Sequence, residues 1–230
     1  MKYGIIAILL ISNCLALNAQ ELEEIVVTAS MRSGDYYEMP AVTIKKEADY
    51  LVQNIRLIND SRSPELRRNE IIRSIDGLIK ASKRIKGIEL SYGNGFLEPV
   101  KLNDDSLELI EDRKKVDTSY VNIFAKVAFD KSLPAKQQIL VLRKFIKNAN
   151  PAGRTEIDSL GDIGLSIIGP EQYRYEILAK IAAESRKVIE AMGPDCETTI
   201  GGLEGRVEWD RSGVGELTLY IPYGSEITCK

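Results

Sequence analysis

Ser119-Tyr120-Val121-Asn122-Ile123-Phe124-Ala125-Lys126-Val127-Ala128-Phe129 is the stretch that decides the fold. Val121, Ile123, Ala125, Val127 and Phe129 recur at every second position, the pattern of a half-buried strand. Upstream, Ala41 to Asp60 is a longer β-like run. Leu51, Ile55 and Leu57 point one way, and Tyr50, Val52 and Ile58 point the other. Apolar residues on both sides predict a strand buried on much of both faces.

Between these runs a helix is well signalled. Ser63 suits the N-cap, Pro64 the first helical position and Glu65 the first turn. Ile71, Ile75, Leu78, Ser82 and Ile85, joined by Ile72 and Ile79, form an apolar stripe at helical spacing. Gly87 is expected to end the helix. A strand near Ile88-Glu89-Leu90 leads into a turn at Tyr92-Gly93-Asn94-Gly95. Residues 103–115 are dense in charge and read as an exposed excursion.

Downstream, a second helix is expected from Pro134, burying Ile139, Leu142, Phe145, Ile146 and Ala149, until Asn150-Pro151 stops it. Ile163, Leu165 and Ile167 alternate in a following strand. A third helix is expected from Pro170 to Met192, with Leu178, Ile181, Ala182, Ser185, Ile189 and Met192 on one stripe and Gly193-Pro194 as its terminator. Two last strands, near Leu203 to Trp209 and Glu216 to Tyr223, flank Arg211-Ser212-Gly213 as a hairpin. Strands and helices mix without regular βαβ alternation. The class is therefore α+β, with mixed or antiparallel strands packed against three main helices.

The N-terminus carries a different kind of information. Lys2, the apolar run Gly4 to Ile11 and Leu17-Asn18-Ala19 have the layout of a secretory signal peptide cleaved after Ala19. Asn13 is a poor fit to the small residue that a lipoprotein signal wants before Cys14, so plain secretion is the reading taken. The organisation expected is a signal peptide at 1–19, an N-terminal extension with a linker at 20–40, and one α+β domain at 41–230. No later run approaches about 18 uninterrupted apolar residues, so no transmembrane span is expected.

The whole chain has 31 basic and 34 acidic residues, a net charge of −3. Losing Lys2 with the leader makes that −4 (30 against 34). Such a balance argues against nucleic acid as a partner. Cys196 and Cys229 remain after the leader. In an oxidising compartment an even pair reads as a disulfide, which would add roughly 3–4 kcal/mol on the chain-entropy model. The alternative is two buried thiols.

Two resemblances follow. Ser119 to Val127 and Tyr175 to Gly193 (YEILAKIAAESRKVIEAMG), with the order of elements around them, resemble the SIMPL-domain family of bacterial envelope proteins. The chain departs from that pattern at the charged residues 97–117 and at Ser30-Met31-Arg32, where a Gly-rich turn is usual. The resemblance implies a periplasmic or surface-associated protein that forms homo-oligomers and has no established catalysis.

Glu23-Glu24-Ile25-Val26-Val27-Thr28-Ala29-Ser30 resembles the TonB box of outer-membrane receptors in sequence and placement. That likeness implies the TonB C-terminal domain as a partner. Glu24, Ile25, Val26, Val27, Thr28 and Ala29 would add as a strand to the partner's sheet edge. β-branched residues suit an extended backbone. The competing reading is an ordinary strand of this chain's own sheet.

The chain contains no histidine, which removes His-based triads and zinc sites. No P-loop, GxGxxG, GxSxG or EF-hand spacing is present. Asp104, Asp105, Glu108, Glu111 and Asp112 could supply oxygen ligands to a cation, but Arg113, Lys114 and Lys115 follow at once and a solvated loop is the expectation. Gly201, Gly202 and Gly205 read as a turn. The cations of the first helix (Arg67, Arg68, Arg73, Lys80, Lys83, Arg84, Lys86) read as a solvated face opposite the apolar stripe, with an anionic envelope surface as the alternative. Trp209, Tyr220 and Tyr223 read as core or edge packing.

The functional expectation is a non-enzymatic periplasmic binding and assembly protein with no cofactor and no metal. Its alternatives are an oligomer-forming envelope stress protein without TonB contact, and a carboxylate-dependent hydrolase.

Overall fold

The computed structural model describes residues 39–93 and 97–230. The centre is an antiparallel sheet in which β2 (Tyr50–Asn59) and β6 (Ser119–Ala128) pair along ten residues each. β3 (Ile88–Tyr92) lies on the far side of β6, β4 (Glu98–Pro99) beyond it, and β7 (Glu156–Ser166) on the far side of β2. The short β5 (Ile110–Glu111) pairs with the start of β6. Helices α1 (Pro64–Ser82) and α2 (Ala135–Lys147) cover one face.

The alternation in β6 and β2 makes that face the main core. Ile55 stands opposite Ile123 and Leu57 opposite Val121, and they pack with Ile71, Ile75, Leu142 and Phe145 of the helices. The expectation that β2 is buried on much of both faces holds unevenly: no residue of the strand is exposed, but the second face is less covered. Only Val52 on the second face is fully buried, while Tyr50, Arg56 and Ile58 are half-buried. That face is held by aromatic–cation pairs: Arg56 lies 4.1 Å from the centre of the Tyr120 ring, and Lys126 lies 4.0 Å from that of Tyr50.

Helix α1 begins as its residues dictate, with the Ser63 hydroxyl accepting from the Leu66 amide. It ends earlier than the glycine signal implied. Ser82 is the last helical residue, and Gly87, in the left-handed region, closes the turn that follows. Ile85 therefore leaves the helical stripe and stands partly exposed. The charged stretch 103–115 is mostly exposed, as expected, but it and the residues before it also reach the core. Val100 and Leu107 belong to the main core, and Asp104 is buried.

A second, smaller core begins where the first β-like stretch divides. β1 (Ile44–Glu47) pairs with β10 (Glu216–Tyr220), which pairs with β9 (Glu208–Arg211), whereas β2 enters the main sheet. Ile44, Leu217, Leu219 and Ile221 pack there against Ile177 and Ile181 of α3 (Arg174–Met192). A 3₁₀ turn at Pro170–Tyr173 precedes α3. Arg211 joins the two sheets by donating to the Ile163 carbonyl of β7 and to the Gly213 and Val214 carbonyls of its own hairpin. Burial lowers its pKa from the ordinary guanidinium value.

Of the predicted apolar stripe of α3 only Ile181 is buried; Ile177, outside that stripe, is buried as well, and Met192 is exposed. Beyond Gly193, β8 (Cys196–Gly201) and β11 (Gly224–Cys229) form a separate two-stranded ribbon. All strand pairings among the described residues are antiparallel. The class is α+β, with three α-helices among the described residues.

Candidate functional site

Arg67 and Glu70 in the first turns of α1, and Asp104 in the segment packed beside it, are buried charges consumed by structure; Lys126 of β6, also buried, pairs with Glu89. Glu70 accepts from the Asn59 side-chain amide (2.7 Å), the Ser61 hydroxyl (3.0 Å) and the Arg154 backbone amide (3.0 Å). The Arg154 amide first, then Asn59, holds its carboxyl below the usual range. One turn earlier, Arg67 donates to the Ser119 hydroxyl and the Ser61 carbonyl and reaches Glu111. Asp104 accepts from the Ser106 hydroxyl and from the Ser106 and Lys101 amides. The Ser106 hydroxyl is the main reason that its pKa is lowered.

These contacts explain how a charged segment is locked onto a core. They also correct one sequence reading and bear on a second. Arg67 is buried, and Arg68 donates to the Leu107 and Asp105 carbonyls, so the first turns of α1 are not a solvated basic face. The acids at 104–112 do not converge on one point. Glu111 accepts from Ser119 and Asp112 from the Lys114 amide, and no metal-holding group of three or more acidic, cysteine or histidine residues occurs among the described residues.

A concave surface lies at the other end of the helical layer. Gly77, Leu78, Ala81 and Ile85 on the α1 side face Val141, Lys144, Phe145 and Asn148 of the α2 side, with Pro151 and Ile157 closing the groove. Its volume is about 560 Å³. The groove exists because α1 presents Gly77 and Ala81, with almost no side chain, where α2 approaches. An alanine β-carbon at 77 would meet nothing within 4 Å. Glycine inside a helix costs about 0.5–1 kcal/mol relative to alanine, so the open wall exists at the expense of helix stability.

The groove is lined mostly by apolar side chains, with one cation among them. Lys144 lines it directly. Lys147 lines the neighbouring concavity, and Lys80, in the last turn of α1, and Arg84, beyond it, line neither. All four are exposed, and none has an acidic partner among the described residues. Asp76, the one acid in the later turns of α1, accepts from the Asn103 amide. Helix α2 contains no acid.

Beside the groove, past Pro151, runs β7. It is the last strand of the main sheet, and no strand pairs with its outer edge among the described residues. Such an edge offers backbone donors and acceptors to an added strand.

The remaining sequence-stated sites fall as follows. Glu24, Ile25, Val26, Val27, Thr28 and Ala29, with the signal peptide, lie outside the described residues. Cys196 and Cys229 are joined in a disulfide across the ribbon. The Gly201–Gly205 segment is a turn, closed by the Gly205 amide on the Gly202 carbonyl and pinned by Arg174. Trp209 sits on edge strand β9 and is 45% exposed. Among the described residues, no helix is long and apolar enough to cross a membrane. No family model, curated protein or solved structure matches this chain.

The sequence reading missed the groove. Its signals were Gly77 inside a well-signalled helix and the lack of any acid in α2, both visible in the chain but without meaning until the two helices are placed side by side.

Proposed function

We propose that this chain is a secreted periplasmic protein that acts by binding and assembly, with a SIMPL-like α+β domain. The observation that supports the binding role is the 560 Å³ groove between α1 and α2, an apolar concavity, the usual form of a binding site. The contacts of Glu70, Arg67 and Asp104 favour binding over hydrolysis. Each group is saturated by partners that tie loops to α1, and none points into the groove's lining.

In this reading the segment Glu24 to Ala29 is the grip for the TonB C-terminal domain. Ile25-Val26-Val27-Thr28 adds as a strand, and residues 31–40 serve as its tether. The experiment is binding of the purified protein to the TonB C-terminal domain beside a Val26→Pro variant. Proline removes a backbone donor from the added strand. Saturable binding that the variant loses supports the reading; no binding by the wild type removes TonB from it.

The outer edge of β7, beside which no strand lies among the described residues, favours a second reading, in which copies of the chain assemble through strand pairing and make no contact with TonB. Concentration-dependent sedimentation separates the two.

A further inference from the structure

We infer that the edge of β7 beside α2 takes up an extended acidic peptide: the peptide adds as a strand along residues 156–159, and its carboxylates on the helix side meet Arg143 and Lys147. The inference depends neither on the α1–α2 groove nor on the N-terminal segment as a grip for TonB. Two independent features of the place, one of backbone and one of charge, agree on that occupant.

The backbone feature is a short open edge. No strand pairs with the outer edge of β7 among the described residues. Its second half is nevertheless closed. The register with β2 shifts between Val52 and Asn54, and β7 bulges at Gly161, whose φ is 64°. There Gln53 donates to the Leu160 and Gly161 carbonyls, and Arg211 donates to the Ile163 carbonyl. Those bonds stop short of residues 156–159. Alternate residues of an edge strand turn their N–H and C=O groups outward, so this stretch offers main-chain bonds to an added strand.

The charge feature is the concavity that adjoins this stretch. Ile157, Ser159 and Gly161 of β7 line it on one side, and Arg143, Ile146 and Lys147 of α2 on the other. Its volume is about 610 Å³, and its lining holds both cations and no acid. Both are exposed and without acidic partners among the described residues. Ile157 and Ser159 stand opposite Leu57 and Ile55 of the main core, so they point to the helix side, whereas Glu156 and Asp158 point to the other face. An added strand alternates in the same way, and every second side chain of it projects toward Arg143 and Lys147. A carboxylate there gains a charge-assisted contact that a neutral or cationic side chain lacks. A second β7 would present only Ile157 and Ser159 on that side, and no carboxylate.

The experiment is a fluorescence-anisotropy titration of the purified protein with short end-blocked peptides in which valine alternates with glutamate or with lysine, and with the glutamate peptide N-methylated throughout. N-methylation removes the backbone donors of an added strand and leaves the side-chain charge unchanged. Wild type is compared with an Arg143→Glu, Lys147→Glu double variant. A Lys80→Glu, Arg84→Glu double variant makes the same change in net charge at positions outside the concavity. Circular-dichroism melts verify that each variant is folded. The expected result is saturable binding of the glutamate peptide at one per chain, at least about tenfold tighter than either the lysine or the N-methylated peptide. The Arg143→Glu, Lys147→Glu variant reverses the preference toward the lysine peptide, and the Lys80→Glu, Arg84→Glu variant keeps the wild-type order. Failure of every peptide to bind, equal binding of the two charges, or full binding of the N-methylated peptide overturns the inference. Equal loss in both variants also overturns it, by reducing the contact to net charge. A dimer in sedimentation that excludes every peptide overturns it as well, by giving the edge to a second copy, and the strand-pairing assembly then stands without it.

Discussion

Gly153 lies with its backbone against the carboxylate of Glu70: a β-carbon built at 153 would come within 2.0 Å of the Glu70 Cδ. Its φ of 59° is in the left-handed region. The contact joins the second turn of α1 to the loop between α2 and β7, and the Arg154 amide beside it donates to the same carboxylate. The chain reverses there only because residue 153 has no side chain and residue 70 has a charge to receive the freed amide.

Gly153→Ala is therefore expected to destabilise the protein. The left-handed backbone alone costs roughly 1–2 kcal/mol for an L-residue. Moving the Glu70 side chain aside would break its bonds to Asn59, Ser61 and Arg154, so the loss in chemical denaturation should exceed the backbone figure. The pH dependence has a definite sign. The pKa of Glu70 is depressed in the fold, so its stabilisation is present above the ordinary carboxylate value of 4.5 and is lost as pH falls through the lower folded value. Glu70→Gln should flatten the acid limb of the stability profile below pH 4.5 relative to wild type. An unchanged acid limb would mean that the carboxylate is not ionised in the fold.

Gly77→Ala is expected to do the opposite of Gly153→Ala. Gly77 is an exposed helical residue, and its β-carbon would meet nothing within 4 Å. The substitution should raise stability by about 0.5–1 kcal/mol, chiefly by restricting the unfolded chain. Thermal melts of the two glycine variants side by side check both signs at once.

Reduction of Cys196–Cys229 should act locally. Every residue of β11 is exposed, and the smaller core draws only Ile200 from the ribbon strands. The chain-entropy estimate of about 3–4 kcal/mol is therefore an upper figure for the ribbon, and not a loss shared by both cores. Hydrogen exchange before and after reduction should show faster exchange in β8 and β11 with β6 unchanged. A collapse of protection in β6 would mean that the ribbon supports the main sheet.

Much of the architecture was legible wherever local and tertiary signals agree. The alternation at Val121, Ile123, Ala125 and Val127 places them on the buried face of β6. Ser63 caps α1, and the spacing of Ile139, Leu142, Phe145 and Ile146 matches the buried side of α2. The first half of β7, Glu156 to Asp162, was not legible. It is too polar and glycine-broken to show alternation, and becomes a strand because β2 supplies the pairing partner. The ribbon strands β8 and β11 escaped for a related reason: both are largely exposed, so no apolar period marks them.

By itself the sequence determined the α+β class, the three helices, the central strands and the redox logic behind the Cys196–Cys229 pair. Each follows from periodicity, capping or composition within a short window. Tertiary structure alone decided that the Ala41–Asp60 run divides between two sheets, that Arg67, Glu70 and Asp104 are buried, and that Gly77 faces α2 across a groove. Those outcomes depend on which distant segments meet. A residue's neighbours in space, and so the dielectric and partners that fix the meaning of its charge or its missing side chain, do not exist until the chain has folded.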